Sequence, residues 1–283
     1  MSGWDATGAT SVRSRYAAWA GFAALLVVPI IGGCQYLHGS RTTTEPLELR
    51  VGFAPVYRPL AFKEDGQLVG VEADFAQQLA QDLPAKTTLV ELPWDELIPA
   101  LLDHRVDIIM SGMSITEERS KWVHFTQSYQ RVGQMALIRR SDYRHLRDPK
   151  AMDSPSSRVG YHNNTTGDTF VHRTLRHAKL IGFDLPDDGI AALRAKKIDY
   201  FIHDAPTIWR VSGGSLNPDP ELRGLYRPLT EEYLAWAVRK DDESLRNRLN
   251  EILVHWQSTG KTEEVLDRWI PVRKITVDAK PSR

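Results

Sequence analysis

Short apolar runs alternate with amphipathic stretches along most of this chain, and the alternation occurs twice. In the first set, residues 47–52 read as a strand, 71–83 as a helix, 87–92 as a strand, 94–103 as a helix and 106–110 as a strand. Val71, Phe75, Leu79 and Leu83 recur every four residues, the spacing of one helical face, and Pro84 ends that helix. Residues 133–139 supply a further strand, and a charged segment bearing Pro and Ser then covers 140–157. The second set follows: strand 158–162, helix 166–178, strand 179–183, helix 187–197, strand 199–204 and a short helix 206–211. Strands are also expected at 225–229 and 234–238, and a helical tail over 243–269 breaks at Gly260. Strands alternating with helices specify an α/β fold with mainly parallel sheets. Two such sets divided by a charged break specify two lobes. Ligands bind such sheets beyond the carboxyl ends of their strands, so two facing lobes make a cleft.

One junction stands out chemically. The run Val106-Asp-Ile-Ile-Met-Ser-Gly-Met-Ser-Ile-Thr-Glu-Glu-Arg119 passes from a buried strand through Ser111-Gly112 into the start of a helix. Ser114 with Glu117 three residues later reads as a capping box. Free backbone N–H groups at such a helix start form an anion site. Arg119 can fork onto a carboxylate through two parallel hydrogen bonds. Taken alone, the residues fit a capped surface helix with a solvated arginine better.

The N-terminus carries its own pattern. Arg13 and Arg15 precede an apolar or small run over 16–31, of a length that suits a signal peptide rather than a membrane-spanning helix. The run ends Ile31-Gly-Gly-Cys34, similar to the bacterial lipobox, in which the cysteine receives a diacylglycerol and becomes the first residue after cleavage. Cys34 is the only cysteine, so no disulfide forms within the chain. A single-pass anchor and a non-lipid cleavage site are the competing readings. The expected layout is a signal peptide over 1–33, a polar tether over 34–46, folded sequence from 47 and a tail over 271–283.

Lysine plus arginine and aspartate plus glutamate both number 36, so charge gives no argument for a nucleic-acid partner. The nine histidines contain no His-Glu-x-x-His pattern, and no Walker-type phosphate loop occurs. No catalytic constellation, metal site or cofactor is expected.

An ordered series of motifs then carries a family likeness. It comprises Leu49-Arg-Val-Gly52, Tyr57-Arg-Pro59, Gly70-Val-Glu-Ala-Asp-Phe75, Trp94-Asp-Glu-Leu-Ile-Pro-Ala-Leu101, Val106-Asp107, Gly112 to Arg119 and Phe125-Thr-Gln-Ser-Tyr129. It continues through Val159-Gly160 and Ile198-Asp-Tyr-Phe-Ile-His-Asp204 to Trp269. Over about 47–270 the chain resembles the family 3 extracellular solute-binding proteins, the amino-acid receptors of ABC importers. The resemblance implies the type II periplasmic binding protein fold, two α/β lobes joined by a two-strand hinge. Lobe 1 would comprise 47–138 and 232–270, with the hinge and lobe 2 over 139–231 and the tail helices packed back on lobe 1. It implies that Arg119 grips a ligand α-carboxylate, with Ser114 and Thr166 beside it and Gly112 in the same ligand-binding turn. Asp204 would pair the α-ammonium, and Tyr57 and Trp94 would wall the ligand side chain. Ordinary readings compete: helix caps for Thr166 and Asp204, packing for Tyr57 and Trp94.

The chain departs from the pattern at two places. Ala54 stands where receptors for basic amino acids carry an acid, which disfavours a cationic ligand. Asn164 stands where many members have glycine. Arg58 and His162 lie near the expected cleft and would favour an acidic or polar ligand, although a solvated arginine and a loop histidine are the simpler readings.

The resemblance implies a monomeric receptor held by lipid at Cys34 on the periplasmic face of a bacterial membrane, handing an L-amino acid to ABC permease subunits. Two other functions compete. One is an enzyme on the same fold, such as cyclohexadienyl dehydratase, with Asp168 or Asp204 as its acid. The other is a ligand-sensing module, which with no membrane span expected after the tail would act in trans.

Overall fold

The chain crosses between two five-stranded sheets twice, and the two crossings pair with each other. The computed structural model describes residues 47–271, apart from Pro84 and residues 215–217. The expected signal peptide, the tether with Cys34 and the tail beyond Pro271 lie outside the described residues. Among the described residues, no helix is long and apolar enough to cross a membrane.

The first sheet runs Ala85–Glu91, Leu47–Phe53, Ile108–Ile109, Ala237–Arg239, Val123–Phe125. The first three strands are parallel and the last two antiparallel to their neighbours. The second sheet runs Lys179–Phe183, Arg158–His162, Tyr200–Asp204, Gln134–Arg139, Leu222–Leu225, with the same change from parallel to antiparallel. The connections are Gln130–Val132, leaving the first sheet, and Glu232–Leu234, returning to it. They pair antiparallel, Glu232 opposite Val132 and Leu234 opposite Gln130. This is the two-strand hinge of the type II periplasmic fold, and it makes the first lobe discontinuous in sequence.

Each lobe repeats one device. Arg50 forks onto Asp107 through Nε at 3.0 Å and Nη2 at 2.8 Å, and its backbone N–H donates to the same carboxylate. Arg158 does the same to Asp199. Both pairs tie the first strand of a set to the segment before its third. The fork geometry makes these contacts directional as well as attractive.

The apolar faces decide the packing. Val71–Asp82 buries Val71, Phe75, Ala76 and Leu79. The tail folds back onto this helix as Glu243–Thr259 and Lys261–Trp269, separated by Gly260 at φ +79°, a left-handed cap that glycine adopts without steric cost. Phe75 stacks on Trp256 at 5.7 Å, Trp256 donates to Asp82 at 2.7 Å and Trp269 donates to Asp74 at 2.8 Å. Among the described residues, Trp236 and Trp256 are the largest fully buried side chains.

Several boundaries differ from expectation. The strand Gln134–Arg139 belongs to the second sheet, so lobe 1 ends before it and not at residue 138. The stretch 106–110 narrows to Ile108–Ile109, since only these residues find ladder partners. The stretch 94–103 divides into a 3₁₀ turn, Trp94–Glu96, and the helix Leu97–Leu102. The strand expected at 225–229 lies at Leu222–Leu225. The one expected at 234–238 divides into the hinge strand and Ala237–Arg239. The helix expected over 166–178 stops at Thr174, and the charged segment contains the short helix Tyr143–Leu146.

Candidate functional site

The cleft between the lobes holds a cavity of about 20 Å³. Lobe 1 lines it with Ala54, Val56, Tyr57, Trp94, Gly112, Ser114 and Arg119; lobe 2 adds Gln134, His162, Thr165, Thr166, His203 and Asp204. All seven residues expected at the ligand therefore stand around one space.

Arg119 sits in the short helix Glu117–Ser120. Thr116 caps that helix, its hydroxyl accepting from the Arg119 N–H at 3.1 Å. The expected capping box at Ser114 is thus replaced by a simple Thr116 cap two residues on, with Arg119 where a box would need Glu or Gln. Ser114 instead bridges to Leu234 on the returning hinge strand. Its hydroxyl donates to Glu232 at 2.7 Å, so that hydrogen is not directed at the cavity. The guanidinium of Arg119 donates to the Ser114 carbonyl at 2.9 Å and lies 5.3 Å from the Trp94 ring centroid, within cation–π range. Burial lowers the Arg119 pKa while Asp204 and Glu232 raise it through space; a guanidinium stays charged under such a shift.

Gly112 has a conformational reason to be glycine. Its φ is +66°, and a Cβ there would fall 2.5 Å from Leu60 Cδ1 and 2.8 Å from the Tyr57 ring. Its backbone N–H donates to Glu72 at 2.5 Å, so it lines the cavity without offering that donor. Glu72 is fully enclosed and also accepts from the Tyr129 hydroxyl at 2.8 Å and Trp236 Nε1 at 3.0 Å. Burial pushes its pKa up to about 7, against the pull of those three donors. Glu72 thus holds the strand-to-helix turn from behind.

Asp204 ends the buried strand Tyr200–Asp204 and precedes Ala205–Trp209, but its side chain does not cap that helix. It accepts from the Tyr57 hydroxyl at 2.5 Å and from Gln134 Nε2. Burial, and then the nearby Glu232, push its pKa up to about 7, while Tyr57, Gln134 and Arg119 pull it down. Burial and Asp204 in turn hold the Tyr57 hydroxyl well above its usual range. Tyr57 is therefore both a wall of the cavity and a donor to its carboxylate.

Thr165, not Thr166, caps the helix Thr166–Thr174. The Thr166 hydroxyl is left to accept from Gln134 Nε2 at 3.0 Å. Asn164 adopts φ +59°, which explains why it can occupy a glycine position, since asparagine tolerates the left-handed region better than most residues. Its carbonyl accepts from Trp94 Nε1 at 3.0 Å, a contact between the lobes.

Two further acids and bases complete the picture. Asp168 accepts from the Asn164 N–H at 2.9 Å and pairs with His172 at 2.8 Å, outside this cavity. Arg58 lies over the Phe62 ring at 4.1 Å and donates to the Lys63 carbonyl, so it packs against its own hairpin instead of lining the cavity. Among the described residues, no group of three or more His, Cys, Asp or Glu side chains is placed to hold a metal ion.

Sequence reasoning missed Val56, Thr165, Gln134 and His203 on the cavity wall and Glu232 beside it. Gln134 links Asp204, Thr166 and, at 3.3 Å, Glu232. Glu232 also accepts from Thr230 at 2.6 Å and lies buried beside the cavity. His203 lines the cavity on the same strand as Asp204. The available signal was alternation: Glu232 shares a strand face with Leu234, and His203 with Phe201.

The profile of the bacterial extracellular solute-binding proteins, family 3, matches residues 49–272. The chain belongs to this family. Among curated members, the ABC transporter arginine-binding protein 1 of Escherichia coli strain K12 is 27% identical over 232 residues, 79% of this chain and 91% of its own length. Among solved structures, an ABC transporter binding component from Wolinella succinogenes, complexed with lysine, is 32% identical with a TM-score of 0.74, covering 80% of this chain and 97% of that one. An ancestral amino acid-binding protein described as a precursor of cyclohexadienyl dehydratase is 29% identical with a TM-score of 0.71, covering 79% and 95%. A family 3 solute-binding protein needs one site reached from both lobes, and the space around Arg119 and Asp204 is lined by residues of both.

Proposed function

We propose that this solute-binding protein captures a free L-amino acid between its lobes for an ABC importer and does no chemistry on it. The observation that carries the reading is the placement of Arg119 from lobe 1 and Asp204 from lobe 2 on one buried cavity. A zwitterion has an anionic and a cationic group on one carbon, and these two side chains complement both. In this reading Arg119 holds the α-carboxylate, with Thr166 and the start of its helix beside it. Asp204 holds the α-ammonium, oriented by Tyr57 and Gln134. Tyr57 and Trp94 wall the side chain. Ser114 acts at one remove, fixing Glu232, and Gly112 supplies the turn that brings Tyr57 close.

Micromolar binding corresponds to about 8 kcal/mol. A charge clamp at each end and aromatic burial supply that after ordering costs. Because the two halves of the clamp come from different lobes, ligand contacts favour closure about the paired hinge strands. Relatives that bind arginine and lysine support the amino-acid class. The receptor is monomeric, meets ABC permease subunits, and is held by lipid at Cys34 on the periplasmic side of the membrane. Palmitate labelling that persists in Cys34→Ser would remove the anchor from this account.

An enzyme is the second reading, because burial pushes the Asp204 pKa up to about 7 and one relative is an ancestral amino acid-binding protein described as a precursor of cyclohexadienyl dehydratase. A thermal-shift panel of the L-amino acids separates the two, since a ligand at a hundred times its Kd stabilises by ~2.7 kcal/mol. A stabilising amino acid supports the receptor. No stabilising amino acid, together with turnover of prephenate or arogenate, supports the enzyme.

A further inference from the structure

Both hinge strands reach lobe 1 beside one buried carboxylate. Glu72 stands in the first turn of Val71–Asp82, its backbone N–H donating to the Leu60 carbonyl at 2.9 Å. The residue is 1% exposed, and its side chain accepts from three donors that belong to three segments. The Gly112 N–H, at 2.5 Å, comes from the turn that leads to Arg119. The Tyr129 hydroxyl, at 2.8 Å, comes from the residue before the outgoing hinge strand Gln130–Val132. The Trp236 indole N–H, at 3.0 Å, comes from just beyond the returning hinge strand Glu232–Leu234. The Tyr129 and Trp236 rings also meet Phe75, one turn along the same helix, at 5.3 and 5.8 Å.

The donors dictate the group. A backbone N–H and an indole N–H only donate, and an ionised carboxylate only accepts. One Glu72 oxygen takes Gly112 and Tyr129, and the other takes Trp236. A glutamine amide would turn an N–H towards at least one of those donors. An apolar side chain would avoid burying a charge but would leave three enclosed donors unpaired.

The backbone grips the turn from its other side. Ser114 bridges to Leu234, the Ile115 N–H donates to the Tyr233 carbonyl at 2.8 Å, and the Ala235 N–H donates to the Met113 carbonyl at 3.1 Å. The Tyr129 N–H donates to the Leu234 carbonyl at 3.0 Å, so the outgoing segment joins the same set of bonds. The ligand turn is therefore tied to the hinge by backbone at 113–115 and through Glu72 at Gly112. Tyr129 and Trp236 are buried and stand off the cavity. Packing this close transmits a displacement instead of absorbing it.

We propose that Glu72 is a positioning residue that locks the Gly112 turn to the lobe 1 ends of both hinge strands, so that a ligand carboxylate drawn to Arg119 pulls on the hinge. The inference rests on the amino-acid receptor reading and deepens it by assigning how occupancy of the cleft reaches the hinge.

The test uses the L-amino acid that gives the largest thermal shift, titrated by calorimetry at pH 8, above the pKa of about 7 to which burial lifts Glu72. Glu72→Gln should weaken its binding by roughly tenfold, the scale of a lost hydrogen bond to a charged group. Tyr129→Phe removes one bond at the outgoing strand and should weaken binding by about fivefold. Circular dichroism should show both variants folded; where Glu72→Gln is unfolded, Tyr129→Phe decides. A purely structural Glu72 predicts lower stability with affinity unchanged. In nitrogen-edited NMR spectra the Trp236 indole resonance, assigned with Trp236→Phe, should shift when the amino acid saturates the wild-type protein and stay in place when it saturates Glu72→Gln. Unchanged affinity in either folded variant, a Trp236 shift of equal size in Glu72→Gln, or no shift in the wild type overturns the inference and leaves the receptor reading standing. Binding of no L-amino acid overturns both.

Discussion

Tyr57 and Asp204 stand 147 residues apart in sequence and share a 2.5 Å hydrogen bond between the lobes. The bond ties a cavity wall to the carboxylate proposed for the ligand ammonium, so the aromatic and electrostatic parts of the site are one structure. Tyr57→Phe keeps the ring and removes the donor. It should weaken amino-acid binding by about tenfold, the scale of a hydrogen bond to a charged group, with the fold retained. Calorimetry on the folded variant checks this; unchanged affinity would make Tyr57 a wall alone.

The titration of Asp204 gives a pH dependence with a definite sign. Its folded pKa is about 7, above the ordinary 3.8, so the folded state holds the proton more tightly. The associated stability is complete below about 3.8 and is lost as pH rises through about 7. Glu72, also raised to about 7, acts in the same direction. Asp204→Asn should therefore gain stability relative to wild type at pH 8, and the gain should shrink towards pH 5. Urea unfolding of the ligand-free proteins at both pH values measures it.

Ligand binding should run the opposite way. An α-ammonium pairs with ionised Asp204, so affinity should fall as pH drops below about 7. Binding at pH 6 should release close to one proton, on the order of a tenfold change in affinity per pH unit. Titrations in buffers of different ionisation heat count that proton. An affinity that is flat between pH 5 and 8 would contradict a protonated Asp204 in the ligand-free cleft.

Gly112→Ala should cost stability more than a surface change does. The residue sits at φ +66°, and the added methyl meets Leu60 and Tyr57 inside 3 Å. Strain and overpacking together should amount to about 1–3 kcal/mol by chemical denaturation. A loss below about 0.5 kcal/mol, typical of exposed positions, would mean the turn relaxes freely.

How much of this was legible in the sequence depends on where each signal lives. Asp204 stands out because an acid at the end of Tyr200–Asp204 follows four apolar or aromatic positions and must find a partner once buried. Arg119 follows a strand, a glycine turn and a helix start, all local patterns. Gln134 has no local signal: it opens the apolar strand Gln134–Arg139, and only the antiparallel register opposite Asp204 gives it a role. Glu232 follows Glu231, and only alternation with Leu234 distinguishes the two; pairing of the hinge strands buries Glu232 while Glu231 stays exposed. The lobe boundary failed for a similar reason, because strand propensity marks Gln134–Arg139 as a strand without saying which sheet receives it.

The central claim is that Arg119 and Asp204 together hold a zwitterion across the cleft. Titration of the tightest-binding L-amino acid alongside its α-carboxamide and its Nα-acetyl derivative tests it most directly. Loss of either ligand charge should weaken binding by at least about thirtyfold, consistent with about 2–5 kcal/mol for removing one partner of a buried charge pair. Arg119→Ala should lose discrimination between the free acid and the carboxamide, and Asp204→Asn between the free amine and the acetylated form. Equal affinity of the wild-type protein for all three compounds would contradict the clamp.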